Sequence, residues 1–246
     1  MTPDIVVDIG NSRIKWGWCE GGRVERVSNL GDDEEEWNRE IAARSGPVNW
    51  AVASVHPERA CRFTRWIESR SEPVTVIDSF TQIPLKTDLT DPSRVGIDRL
   101  CASLAAYRLH GPGPMLVLQV GTAVVINHVG EDGEFLGGAI LPGFRMMAKA
   151  LAAGTARLPE VDFAENMGGE GGKNTVDAIR NGIYLSIVGA CNCSRSLWLR
   201  DVPRDRQKTI VTGGDAELLI DKLLPPLIHA PMLTLEGIRL AAEGLP

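Results

Sequence analysis

The chain opens on an apolar run, residues 5–7, followed by Asp8-Ile9-Gly10-Asn11-Ser12-Arg13 and then by a second apolar stretch that carries Lys15. That pattern reads as strand, tight turn, strand. Gly21-Gly22 marks the next turn, and residues 23–28 read as the third strand of a meander. Residues 32–36, all acidic, begin a polar helix running to about residue 45, since acids suit the positive end of a helix. An apolar run over 48–55 reads as a buried strand, Pro57 suits the first position of the helix after it, and 74–77 form another short strand. Helices between strands imply parallel pairs and the meander adds antiparallel ones, so the class is α/β with a mixed sheet.

A loop punctuated by Pro92 and Gly96 leads into a helix over about 97–109, with Leu100, Leu104 and Tyr107 on its apolar face. The run His110-Gly111-Pro112-Gly113-Pro114 is the clearest break in the chain and predicts two domains, 1–111 and 112–246. The second half repeats the opening in outline. Residues 115–126 again give an apolar strand, a polar residue (Gln119), a glycine (Gly121), a hydroxyl residue (Thr122) and an apolar strand, and 135–141 close a second meander. Then come a helix to about 153, a glycine-rich stretch over 164–173 read as a loop, and a helix over about 176–199 with Thr175 at its start. A strand over 209–212, a turn at Gly213-Gly214-Asp215-Ala216, a helix to about Leu224 and a last helix over about 235–242 complete the chain. Two halves on one plan suggest an internal duplication. Their two glycine turns would face one another across a cleft suited to a polyphosphate.

Composition narrows the function classes. With 43% hydrophobic and 24% charged residues in 246, an ordinary globular core is expected. A net charge of −6 argues against nucleic acid as a partner. The five cysteines follow no metal spacing and read as reduced packing residues of a cytoplasmic protein. The first residues do not read as a secretory signal, and no run reaches the roughly 18 apolar residues of a membrane span, so no membrane partner is expected.

The candidate chemistry leaves alternatives open at each place. Asp8, Gly10, Asn11, Ser12 and Lys15 could form a nucleotide grip, the acid facing a metal and the lysine and loop amides facing phosphate. They could equally be a plain hairpin with a solvated rim, Gly10 supplying conformational freedom. Asp98 is either a helix-dipole residue or a base placed to take a hydroxyl proton. Gly213-Gly214 either lets a flat ring approach the backbone or forms a strand-to-helix turn capped by Asp215. His56 reads as structural.

Seven stretches, taken together and in order, resemble the type III pantothenate kinases of the acetate and sugar kinase, Hsp70 and actin superfamily. They are Asp8-Ile-Gly-Asn-Ser-Arg-Ile-Lys15, Val95-Gly-Ile-Asp-Arg99, Gly121-Thr-Ala123, Gly137-Gly-Ala-Ile-Leu-Pro-Gly143, Thr155-Ala-Arg-Leu-Pro159, Asn174-Thr-Val-Asp-Ala-Ile-Arg-Asn-Gly-Ile183 and Thr212-Gly-Gly-Asp-Ala216. The resemblance implies two ribonuclease H-like (actin-like ATPase) domains with mixed sheets around a nucleotide cleft. It implies ATP-dependent phosphorylation of pantothenate, the first step of coenzyme A synthesis, by a cytoplasmic homodimer that uses Mg²⁺. It makes Asp8 to Lys15 the first phosphate loop with Asp8 at the metal, Gly121 and Thr122 part of the second, and Gly213 and Gly214 neighbours of the adenosine. Asp98, ionised at neutral pH if unshifted, becomes the proton acceptor; Gly96, Ile97 and Arg99 join it on the pantothenate side, and Thr175 is a further substrate contact.

The chain departs from the family pattern in three places. Gln119 stands where the family has an aspartate that holds a monovalent cation, so the K⁺ or NH₄⁺ expected of the family should bind weakly or not at all. Val125 and Asn127 replace a Thr-x-Asp pattern, and Leu89 replaces a tyrosine that touches substrate in many members. These departures keep two alternatives in view. One is a catalytically weakened nucleotide-binding relative with a regulatory, transcriptional accessory role. The other is a kinase of the same superfamily acting on another hydroxyl.

Overall fold

The computed structural model describes residues 2–42, 44, 46–163 and 171–245. The chain forms two compact units, one of Met1–Pro112, Gly133–Phe135 and Met232–Pro246, the other of Gly113–Asp132 and Leu136–Pro231. In chain order the first unit holds β1 (Ile5–Ile9), β2 (Ile14–Glu20), β3 (Arg23–Leu30), α1 (Glu34–Ile41), β4 (Trp50–Ser54), α2 (Pro57–Ser69), β5 (Val74–Ile77) and α3 (Ile97–His110). There follow β6 (Met115–Val120), β7 (Ala123–Val129), β8 (Phe135–Pro142), α4 (Phe144–Gly154), α5 (Thr175–Trp198), β9 (Lys208–Thr212) and β10 (Ile228–His229), which but for Phe135 belong to the second unit. A last helix, α6 (Leu233–Glu243), belongs to the first.

The sheets share one plan. The first runs β3-β2-β1-β4-β5 and the second β8-β7-β6-β9-β10. In the first, β2 is antiparallel to β1 and β3, while β4 and β5 run parallel to β1. In the second, β7 is antiparallel to β6, and β9 and β10 run parallel to it. This is the doubled mixed sheet expected from the repeated strand-glycine-strand pattern.

Three sequence expectations change. A single cut at 111/112 places α6 in the second domain, whereas the helix packs into the first unit. The segment after Ala216 is two 3-10 turns, Ala216–Leu218 and Ile220–Lys222, in place of a helix. Ala216, Leu219 and Leu223 are buried there, so the spacing that read as helical is met by the two turns. The acidic helix ends at Ile41, earlier than read, and residues 43 and 45 lie outside the described residues. Of the glycine-rich stretch 164–173, residues 164–170 also lie outside them.

Alternation along β1 sets the layers of the first unit. Ile5, Val7 and Ile9 face a core built with Trp16, Trp37, Trp50, Phe63 and Trp66. Several of the rings meet edge to face, as in Trp16 on Trp50 at 4.9 Å and 83°, each such pair adding about 0.5–1.5 kcal/mol beyond its area. Val6 faces the other side, toward Ala51, Ala53, Leu100, Cys101, Leu104, Leu235 and Ile238. Asp8, two residues on, shares that face.

Helix α6 closes this second layer. A Cβ on Gly237 would come within 1.9 Å of the Cys101 carbonyl oxygen, so α6 and α3 touch backbone to backbone. Around that contact Glu236 accepts from the Val24 amide at 2.8 Å. Arg239 donates to Glu236 at 2.7 Å and to Glu243 at 2.8 Å, which satisfies a buried guanidinium. In the second unit Leu116, Leu118 and Val120 of β6 pack on Phe144 of α4, Ile183 and Ile187 of α5, and Leu219.

Candidate active site

In the first unit, hairpin register places Asp8 directly opposite Lys15 across β1 and β2. The turn between them closes with the Gly10 amide donating to the Arg13 carbonyl at 3.1 Å. Gly10 is absent from the left-handed region that nine other glycines occupy among the described residues, so the conformational freedom expected of it goes unused. Asn11 and Ser12 sit exposed on the turn.

Asp98 lies in the first turn of α3, behind the cap residue Gly96. Its carboxylate takes hydrogen bonds from the backbone amides of Arg99 and of Asp98 itself. It also leans over Gly96, where a Cβ would meet its Oδ1 at 2.5 Å, so glycine makes the room for it. Ile97 is buried, and the Arg99 guanidinium sits over the Phe135 ring at 5.3 Å.

The electrostatics tie these groups together. Burial raises the Asp8 carboxyl to about 6; Lys15 opposes the rise and the neighbouring Asp98 charge adds to it. Asp98 is also raised, by burial, against the pull of the Arg99 amide and guanidinium. Asp98 is therefore not the unshifted aspartate of the sequence expectation. Two half-covered carboxylates that repel one another form a site that favours a proton or a cation. Cys101, one helical turn beyond Asp98, is fully buried, and its thiol is pushed well above its usual range by burial and then by these two acids.

Sequence reasoning passes over Arg59. It stands in the first turn of α2, whose N-cap is His56. Its guanidinium donates to the Gly10 carbonyl and, at 2.7 Å, to Asp32. No local pattern marks it, because the contact spans 49 residues.

In the second unit three glycine segments meet at the end of β6. The Val120 carbonyl accepts from the Asp215 amide at 3.1 Å, and the Thr122 carbonyl from the Gly143 amide at 3.0 Å. A Cβ on Gly213 would lie 2.1 Å from the Val120 oxygen, and one on Gly143 would lie 2.1 Å from the Gly121 oxygen. Gly121 and Gly214 have open space where a Cβ would stand, so two bare backbone segments are left accessible beside a tightly built frame. Of the two readings of this turn, the one with Asp215 as a helix cap is not met: its side chain caps nothing and binds Arg145 through both oxygens at 3.0 Å.

Gln119 occupies in this sheet the place of Asp8 in the first, two residues before the turn glycine, and its cross-strand partner is Val125. The buried Asn127 donates to Gln119 Oε1 at 2.9 Å. Where the first unit has an acid facing a lysine, the second has a neutral pair of amides. Thr175 is the exposed first residue of α5, after the cap Asn174, and Leu89 packs against the core that holds Leu100 and Cys101.

The fold is similar to that of the actin-like ATPases and sugar kinases. A Campylobacter jejuni protein described as a Baf-family transcriptional activator superposes with a TM-score of 0.62, 19% identity and 97% coverage of each chain. The polyphosphate/ATP-glucomannokinase of Arthrobacter sp. strain KM superposes with a TM-score of 0.52 and 16% identity over 100% of both. The family follows from the sequence itself. The model of the type III pantothenate kinases matches residues 5–195. A type III pantothenate kinase of Alkalilimnicola ehrlichii is 34% identical, with 98% of each chain covered. The chain belongs to the type III pantothenate kinase family.

Proposed function

We propose that this chain transfers the terminal phosphoryl group of ATP to the primary hydroxyl of pantothenate. One observation carries the reading: Asp8, facing Lys15 across a tight turn, lies within electrostatic reach of a second acid, Asp98, at a helix start. Phosphoryl transfer needs positioning and charge neutralisation more than covalent chemistry. Lys15 and the amides around Gly10, Asn11 and Ser12 would face phosphate oxygens. Asp98 would accept the proton of the attacking hydroxyl and hold its oxygen in line. Its raised proton affinity suits that role better than a free aspartate would. Gly96, Ile97 and Arg99 would shape the seat of the acceptor, with Thr175 as a further contact. Gly121 and Thr122 would take phosphate, and Gly213 and Gly214 would take adenosine on the open backbone beside them.

Asp8 suits Mg²⁺. Among the described residues no three His, Cys, Asp or Glu side chains gather as a metal cage, and kinase Mg²⁺ is held by one or two carboxylates together with substrate phosphates. Such an ion would neutralise phosphate charge. Gln119 gives a monovalent cation no charge, and its oxygen already takes the Asn127 amide, so we expect neither K⁺ nor NH₄⁺ to be needed. The intact Asp8 and Asp98 favour the kinase over the regulatory alternative. We also place the protein in the cytoplasm as a homodimer. Five free thiols accord with a reducing compartment, and Ile140, Met146 and Leu185 expose large apolar side chains on the second unit.

The test is ADP release with and without pantothenate, at several Mg²⁺ concentrations, in K⁺ and in Na⁺ buffers. Pantothenate-dependent release in both buffers is the expected result. No such release in either would overturn the proposal.

A further inference from the structure

We infer that Arg59 is a positioning residue that sets which way the first phosphate turn presents its backbone. The inference rests on reading that turn as a phosphate grip. Two consecutive carbonyls at the end of β1 are held by the stretch from the end of β4 to the first turn of α2. The Ile9 carbonyl accepts from the Val55 amide and from the Ser54 hydroxyl, both at 3.2 Å. The Gly10 carbonyl accepts from the Arg59 guanidinium. In a trans peptide the C=O of one residue and the N–H of the next point in opposite directions. Fixing the Gly10 carbonyl on α2 therefore fixes the Asn11 N–H on the side away from α2.

The choice of donor has chemical meaning. Gly10 has no side chain to hinder a flip of the Gly10–Asn11 peptide, and a Cβ there would meet the Arg13 oxygen only at an ordinary 3.5 Å. The flipped peptide would turn a carbonyl oxygen toward the anion in place of an amide proton, which exchanges attraction for repulsion. A charge-assisted bond from Arg59 opposes that flip more firmly than a neutral donor would. Asp32, bound to the same guanidinium at 2.7 Å, holds the arginine in place; the Arg59 side chain is 11% exposed and that of Asp32 50%. Arg59 thus acts through the turn.

The experiment measures ADP affinity by calorimetry, with KM for ATP and for pantothenate, in the wild type, Arg59→Ala, Arg59→Lys and Asp32→Asn. Arg59→Ala should lower ADP affinity and raise KM for ATP by about tenfold to a hundredfold, while KM for pantothenate stays unchanged. Arg59→Lys keeps the charge but cannot bond Gly10 and Asp32 together, and should fall in between. Asp32→Asn keeps an acceptor for Arg59 but loses the charge, and should lower ADP affinity, though less than Arg59→Ala does. A folded Arg59→Ala with wild-type ADP affinity overturns the inference, and so does an equal rise in both KM values, which would mark a general loss of structure. If Arg59→Ala does not fold, Arg59→Lys decides by the same criteria. ADP binding needs no turnover, so a wild type that binds no ADP defeats the reading of the turn itself, whereas one that binds it leaves only Arg59 in question.

Discussion

Asp8 and Asp98 are acids whose surroundings work against their ionised forms, and that makes their behaviour testable one side chain at a time. The Asp8 carboxyl lies near 6 when folded, against 3.8 in a free chain. The folded state therefore binds the proton more tightly, so the stability this group adds is full below about 4 and is lost as pH rises through about 6. In metal-free buffer Asp8→Asn should melt at the same temperature as the wild type near pH 4 and above it near pH 7. That rise corresponds to at most about 3 kcal/mol, and less because Asp8 is only half-buried. A melting difference that does not vary with pH would refute this, and the same variant should be inactive. Asp98→Asn keeps shape and hydrogen bonding but cannot take a proton; kcat should drop by about 10²–10⁴ with the fold intact by circular dichroism. Both acids stand out in the sequence because each ends an apolar run or opens a helix. Their mutual repulsion could not be read there, since 90 residues separate them.

Turns and helices tell a similar story of local patterns completed by distant ones. The strand-glycine-strand units were legible from alternation and glycine alone. What fixes them was not: Gly213 and Gly143 press on the end of β6 from segments far along the chain. Gly213 sits at φ 105, where side chains are strained, and a Cβ would strike the Val120 oxygen. Gly213→Ala should lose both stability and ADP affinity, read by thermal melting and calorimetry; a variant with both unchanged would remove Gly213 from the site. Helix α6 shows the limit of periodicity, which reveals an apolar face but not the surface that face will cover. Its Gly237 meets Cys101, one turn past Asp98. Gly237→Ala should cost about 1–3 kcal/mol by overpacking, measured as a shift in denaturant midpoint. The Gln119–Asn127 pair was visible only as the absence of two acids, because two amides declare their pairing only once the register of β6 and β7 is known.

For the molecule as a whole, the chain's path carries a consequence of its own. Residues 113–231, apart from Gly133–Phe135, form the second unit, and α6 comes after them yet completes the first. During synthesis the unit begun first is therefore finished last. Until residues 233–243 leave the ribosome, the sheet face that carries Val6, Ala51 and Ala53 lacks Leu235 and Ile238, two of the side chains that cover it. The second unit has its last strand, β10, by residue 229, before α6 begins, and is free to fold ahead of its predecessor, against the usual N-to-C sequence of domain folding. A chain truncated after residue 231 and released from the ribosome should resist protease over its second unit and be cut readily in its first.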